Sequence, residues 1–187
     1  MIVICLKCNM SMWYLLFRIK ENFLRYIRGK IVKNRLNLAT YPNVLGKIHI
    51  NARNVKMGKN VTLYPGVYLW GQNIEIGDNV DIGIGTIIYA KKKVYIGSNT
   101  SIAGQCYIID SNHGIAADEL IRRQPMDTAK GGIYIGDDVW IAAQCCILKG
   151  AKINSHAVIG AKSLVNKEIP PLSVAFGTPA KVVSYRK

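Results

Sequence analysis

From Ile135 to Pro170 the chain divides into six consecutive sixes: IGDDVW, IAAQCC, ILKGAK, INSHAV, IGAKSL and VNKEIP. The first position is aliphatic every time, as Ile135, Ile141, Ile147, Ile153, Ile159 and Val165. The fifth is mostly small, as Val139, Cys145, Ala151, Ala157, Ser163 and Ile169. A helix repeats its apolar stripe about every three to four residues and an amphipathic strand about every two, so neither produces this period. A short fixed period of this kind marks a β-solenoid, in which each repeat is one short strand plus a turn. The aliphatic residue points into a narrow, prism-shaped core, and the small residue falls where the chain bends.

The same phase runs back towards the N-terminus with irregularities. Ile50, Met57, Leu63, Leu69, Ile76, Ile82, Ile88, Ile96, Ile102 and Ile108 carry it, with long units at Ile50, Leu69 and Ile88. One phrase recurs: Ile76-Gly77-Asp78-Asn79, Ile96-Gly97-Ser98-Asn99 and Ile135-Gly136-Asp137-Asp138. Gly followed by Asp or Asn reads as turn chemistry at one kind of corner. The register breaks on a large scale after Asp110, where residues 111–132 read as an insertion. Insertions on a solenoid gather on a functional face. The expected organisation is an N-terminal amphipathic helical segment and connector over 1–47, a solenoid over 48–170 and a turn-rich tail over 171–187.

Net charge is +14, and the excess is N-terminal: from Arg18 to Lys59, Glu21 is the sole acid against a run of Lys and Arg. No zinc-finger spacing, RNA-binding aromatic signature or helix-turn-helix pattern accompanies it, which argues against nucleic acid. Residues 12–35 read as a basic amphipathic helix with Trp13, Leu16, Phe17, Leu24, Ile27 and Ile31 near one face. Such a helix either lies on an anionic membrane surface or caps the open end of the solenoid. The first residues make a poor signal peptide and a short, interrupted span. Of five cysteines, Cys106 and Cys145 occupy small corner positions and Cys146 is adjacent, so buried small residues are expected. Cys5 and Cys8 form a lone CxxC, weak as a metal or redox signal. The three histidines, His49, His113 and His156, fall at unrelated phases, and no metal site is expected.

The stretches Val139-Trp140-Ile141-Ala142, Ile159 to Val165, Lys167-Glu168-Ile169-Pro170 and Gly177-Thr178-Pro179-Ala180-Lys181 resemble the hexapeptide-repeat acyltransferases, closest to sugar and surface-polysaccharide O-acetyltransferases. The likeness runs from about Ile48 to Lys181. It implies an all-β chain folded as a left-handed parallel β-helix, a homotrimer with sites between subunits, and acetyl-CoA as co-substrate. It also implies a sugar or glycan acceptor in capsule, exopolysaccharide or lipopolysaccharide synthesis. The odd cysteine count without a disulfide framework fits a reducing, cytoplasmic compartment, and the basic N-terminal helix adds the inner face of the membrane as an alternative position. An antibiotic or other small-molecule acceptor, and a non-catalytic solenoid that binds a partner, are the rival readings.

Acetyl transfer to a hydroxyl needs a base, donors for the oxyanion and a groove for coenzyme A. His113, at the root of the insertion, is the expected base. An unperturbed imidazole titrates near neutrality, and the position matches the catalytic His of the resembling enzymes. Asp110, three residues earlier, either orients that imidazole or caps the loop turn. Asn112 is expected against the acceptor. By resemblance Ala142 and Ala161 line the pantetheine path, and Lys167 and Lys181 match basic positions near the nucleotide, with Lys162 added on charge. Trp140 is expected in the site wall, with a subunit interface as its other reading. Several resembling enzymes carry an Asn facing the His; here Gly83 or Gly85 stands at that place, so backbone N–H groups are the alternative donors.

Overall fold

The computed structural model describes residues 6–187 apart from residue 129, with side-chain surroundings from Met12 onward. Cys5 lies outside the described residues, and the side chain of Cys8 lies outside the described surroundings. The CxxC reading therefore falls outside the described structure. A helix, Leu6–Leu36, leads into a parallel solenoid that climbs in coils of three short strands. This is the expected β-helix. The helical segment is longer than the amphipathic pattern suggested, 31 residues.

The coils present three faces. Face one stacks Val44, Leu63, Ile82, Ile102, Ile141, Ile159 and Ala175 in parallel register. Face two stacks Ile50, Leu69, Ile88, Ile108, Ile147 and Val165. Face three stacks Met57, Ile76, Ile96, Ile135, Ile153 and Ile169. All of these side chains are buried, most of them fully. Each fully buried aliphatic contributes about 1.5–3 kcal/mol, and the column of them closes the core without a second layer.

The irregularities are not scattered. Every step from face one to face two spans six positions, as from Ile141 to Ile147, and so does every step from face three to face one, as from Ile135 to Ile141. All length variation falls at the corner between faces two and three. There the step lengthens at Leu69–Ile76 and Ile88–Ile96, takes in residues 111–132 between Ile108 and Ile135, and shortens between Val165 and Ile169. The last hexad was therefore misphased by the sequence pattern: Ile169 is a face-three core residue, not a corner one. The ladder also runs on past Pro170, because Ser173–Gly177 pairs in parallel with Val158–Ile159 before Ala180–Tyr185 folds back on it.

Two corners are rigid for a visible reason. At the face-three-to-one corner Asn60, Asn79, Asn99, Asp138, His156 and Leu172 all take positive φ, a region Asn and Asp tolerate best. Their side chains stack: Asn60 Nδ2 donates to Asn79 Oδ1 at 3.0 Å and Asn79 Nδ2 to Asn99 Oδ1 at 3.0 Å. The neighbouring position forms a second ladder, with Ser98 N donating to Asp137 Oδ1 at 2.6 Å and Asp78 N to Ser98 Oγ at 3.1 Å. The glycine of the recurring phrase is not the residue that bends the chain. A Cβ at Gly97 would sit 2.5 Å from the Gly136 carbonyl carbon of the next coil, so glycine is there for close approach. At the face-one-to-two corner Cys106 and Cys145 are buried in one column with Thr86 and Ser163. Hydrogen bonding with Cys145 and burial together push the Cys106 thiol far up, so it stays a neutral packing group.

Candidate active site

The variable corner opens onto a groove of about 690 Å³ on the outside of face two. Outward-facing residues of three successive coils form its floor: Tyr68 and Trp70, then Ile87 and Tyr89, then Tyr107 and Ile109. Strand alternation produces this, since Leu69, Ile88 and Ile108 point inward between them. The rings form a connected series: His49 stacks on Tyr68 at 5.2 Å, Tyr68 meets Trp70 edge-on at 6.2 Å, and Trp70 lies 5.0 Å from Tyr89. Ser111, Asn112, His113, Met126 and Leu148 complete the wall.

His113 reaches the groove because the insertion is anchored at its root. Ser111–Asn112 pairs antiparallel with Asp127–Thr128, which closes the loop over fourteen intervening residues into a hairpin-like stem. Gln124 clamps the loop from inside: its Oε1 accepts from Ala116 N at 2.8 Å, and its Nε2 donates to Ala116 O at 2.8 Å and Glu119 O at 2.7 Å. Gly114 gives Gln124 room, since a Cβ there would lie 2.6 Å from Gln124 Cβ. Lys149 pairs with Asp127 on the outer strand of the stem.

Asp110 is placed differently from a catalytic orienter. It is fully buried, and its carboxylate accepts from the backbone N–H of Lys91 at 2.7 Å, Lys92 at 2.8 Å and Lys93 at 2.8 Å. It makes no hydrogen bond to His113 among the described residues. It braces the enlarged corner of the coil below, where the chain has an extra residue and its amides have lost their ladder partners. Sequence reasoning missed Ser111, buried beside it with an Oγ that has no partner among the described residues. It missed the aromatic floor too, although the alternation of Tyr68, Trp70 and Tyr107 with core aliphatics carried that signal.

The expected donor-side residues lie elsewhere on the chain. Ala142, Ala161 and Lys162 follow the face-one-to-two corner, the opposite edge of face two. Lys162 takes positive φ, and the hairpin Gly177-Thr178-Pro179-Ala180 closes over it, with Gly177 N donating to Ser163 Oγ at 3.1 Å. Lys181 continues that hairpin, paired with Phe176. Lys167 is at the variable corner, beside Glu168, and does not join them. Trp140 is half-exposed on face one between Ser101 and Val158, and one chain does not bring it to His113. Gly83 lies at the face-one-to-two corner, outside the groove lining. Among the described residues no three His, Cys, Asp or Glu converge as a metal site, and no helix is long and apolar enough to cross a membrane.

The bacterial transferase hexapeptide (six repeats) model matches residues 132–167. The galactoside O-acetyltransferase of Escherichia coli strain K12 is 33% identical over 160 residues, covering 84% of this chain and 77% of that protein. The chain belongs to the hexapeptide-repeat acyltransferase family. A second protein of the same strain, whose name places it in colanic acid biosynthesis as an acetyltransferase, is 30% identical over 135 residues, covering 70% of this chain and 69% of its own. Among solved structures, a maltose O-acetyltransferase from Clostridium difficile 630 superposes with a TM-score of 0.55 at 27% identity, covering 84% of this chain and 74% of that one. The match to the family model sits on the regular hexads, whereas His113 and the aromatic floor of the groove lie outside it.

Proposed function

We propose that the protein transfers an acetyl group from acetyl-CoA to a sugar hydroxyl in the synthesis of a surface polysaccharide, with His113 as general base. The observation that carries this is the position of His113 on the rim of an aromatic-floored groove, held there by a braced stem. Flat rings with polar edges suit the apolar faces of a pyranose, and Asn112 supplies an amide at the same rim. In this reading His113 removes the proton as the sugar oxygen bonds to the thioester carbon. The tetrahedral intermediate then collapses with loss of the thiolate, and the imidazolium returns the proton to sulfur. Relatives named for galactosides and colanic acid support a carbohydrate acceptor.

The donor would lie along Ala142 and Ala161, with Lys162 and Lys181 beside its phosphates. These residues and His113 occupy opposite edges of face two, and a homotrimer would join them by setting one subunit's donor edge against its neighbour's groove. The test is thiol release from acetyl-CoA with a panel of galactosides, glucosides and their oligomers. His113→Ala is expected to lower turnover by about a hundred- to ten-thousand-fold with the fold intact. Full activity of that variant on a true acceptor would remove His113 from the chemistry.

A further inference from the structure

The helix Leu6–Leu36 takes no part in the acyl-transfer reading, yet its surface is unusual for a solvated element. Among the described side chains, those of its C-terminal part meet the solenoid. Gly29 and Val32 are buried there, with Gly29 tight against the Pro42 carbonyl, and the helix contacts Asn43–Val44 and the following strand. The side turned away carries Met12, Leu16, Ile19, Phe23 and Ile27, spaced as one helical stripe whose edge reaches Ile31 beside the solenoid. At about 100° per residue this stripe lies largely opposite Gly29 and Val32. The side chains are open to solvent: Leu16 is 52% exposed, Ile19 57%, Phe23 61% and Ile31 60%. Ordinary soluble proteins rarely leave so continuous an apolar strip uncovered.

Charge decides what covers it. From Met12 to Leu36 there are seven Lys and Arg against one acid, Glu21, a net charge of +6. Of these cations, Lys20 and Lys30 fall within the arc of the stripe at about 100° per residue, with Lys33 and Arg35 about 100° to either side. Packing the stripe against its copy from another subunit would set Lys20 and Lys30 against like charges, whereas an anionic surface meets the apolar strip and these lysines together. A second feature points the same way. At the root of the helix a cleft of about 370 Å³ is walled by Ile31, Val44 and Ile48 and ringed by Arg28, Arg35 and Lys47. Arg28 Nη1 is buried there, makes no hydrogen bond among the described residues and has Glu21 at 3.8 Å.

We infer that this helix seats the enzyme on an anionic lipid bilayer, its Met12-to-Ile31 stripe among the acyl chains and Lys20 and Lys30 at the headgroups. The helix lies along the surface, since its described residues are not apolar enough to cross. The solenoid then stands on the membrane by its first coil.

The test uses the full chain with sedimentable vesicles of phosphatidylcholine, and of phosphatidylcholine carrying about a third phosphatidylglycerol. Binding is expected to be at least roughly tenfold tighter on the anionic vesicles, and to fall away near about 0.5 M salt as screening shortens. Leu16→Glu with Phe23→Glu should abolish it, and Lys20→Glu with Lys30→Glu should remove the anionic preference. Circular dichroism and thiol release from acetyl-CoA in solution should stay at wild-type level in both. Equal partitioning of the wild type between the two vesicles, or undiminished binding of Leu16→Glu/Phe23→Glu, overturns the inference. So does a fall in particle mass by light scattering in that variant, which would assign the stripe to a second copy. Vesicle binding is read without any acceptor, so its failure and a failure of the acetyl-transfer reading are told apart.

Discussion

Asp110 is three residues from His113 and serves the backbone, not the imidazole. Its carboxylate satisfies three consecutive amides at the point where the coil below has taken in an extra residue. Buried donors left without a partner cost about 1–3 kcal/mol each, less where water can reach them. Asp110→Ala is therefore expected to destabilise by about 3 kcal/mol in urea unfolding, with activity falling alongside stability. Asp110→Asn should be intermediate, since its amide keeps one acceptor oxygen. Equal stability of wild type and Asp110→Ala would show that the brace is idle. Ser111 gives the opposite expectation. Its buried hydroxyl has no partner among the described residues, so Ser111→Ala should hold or raise the melting temperature. A clear drop in melting temperature would mean that the hydroxyl is paired in solution. The spacing Asp110-x-x-His113 was visible in the sequence with two readings. The fold shows a third arrangement, neither the imidazole nor the loop turn but the amides of Lys91 to Lys93 in the coil below.

At the level of elements, two corners are built to a template and the third is free. Left-handed residues and stacked side-chain ladders hold the two regular corners coil after coil, as in the Asn60–Asn79–Asn99 column. A residue inserted between Ala143 and Gln144 would break one of these columns and turn inward-facing residues outward for the rest of the coil. The same insertion between Gly150 and Ala151, at the corner that already varies, should be tolerated. Urea midpoints of the two insertions test this, and similar midpoints would refute it. The inserted loop follows its own logic: Gln124 closes three hydrogen bonds across it, all near the surface. Gln124→Ala should cost under about 1 kcal/mol of stability yet weaken acceptor use by misplacing His113, seen as a raised KM. The C-terminal strand is tied down by Asp138, to which Arg186 Nη1 donates at 2.9 Å and beside which His156 Nδ1 lies at 2.9 Å. Hydrogen bonds from His156 and then Arg186 hold the Asp138 carboxyl below its ordinary value of 3.8. A depressed value in the folded state means the stabilisation is whole above the unfolded value and fades as pH falls through the folded one. The group is half-exposed, so the effect is under about 1 kcal/mol. Protection factors in Ala180–Tyr185, taken relative to the intrinsic exchange rate at each pH, should fall below about pH 4, and Arg186→Ala should lower them at neutral pH.

For the whole molecule, the main fact is that His113 is separated from Ala142, Ala161 and Lys162, the residues proposed to line the donor path. One chain places them on two edges of face two, so activity should depend on assembly. A mixed refolding of His113→Ala with Ala161→Trp tests it: each alone is expected to be inactive, and in the proposed trimer mixed assemblies should recover part of the activity through sites that draw one wild-type half from each chain. No recovery would place donor and base on the same chain. What the sequence determined by itself was the periodic part. A period of six with an aliphatic at each first position admits one kind of core, so the coil, its faces and the buried cysteines at Cys106 and Cys145 were legible residue by residue. The resemblance added the chemistry expected of His113. The tertiary structure alone decided the rest, because it depends on which coil lies over which. It showed that every irregular length falls at one corner, that Tyr68, Trp70, Tyr89 and Tyr107 from separate coils share one groove, and that Asp110 is a brace. It also showed that the exposed apolar stripe of the N-terminal helix runs through Met12, Leu16, Ile19, Phe23 and Ile27, offset from the face with Trp13, Phe17 and Leu24 read from the sequence, and that it looks away from the solenoid. Periodicity specifies what each residue does within its own repeat. Contacts between repeats, and between a repeat and an insertion, arise only when the coils are stacked.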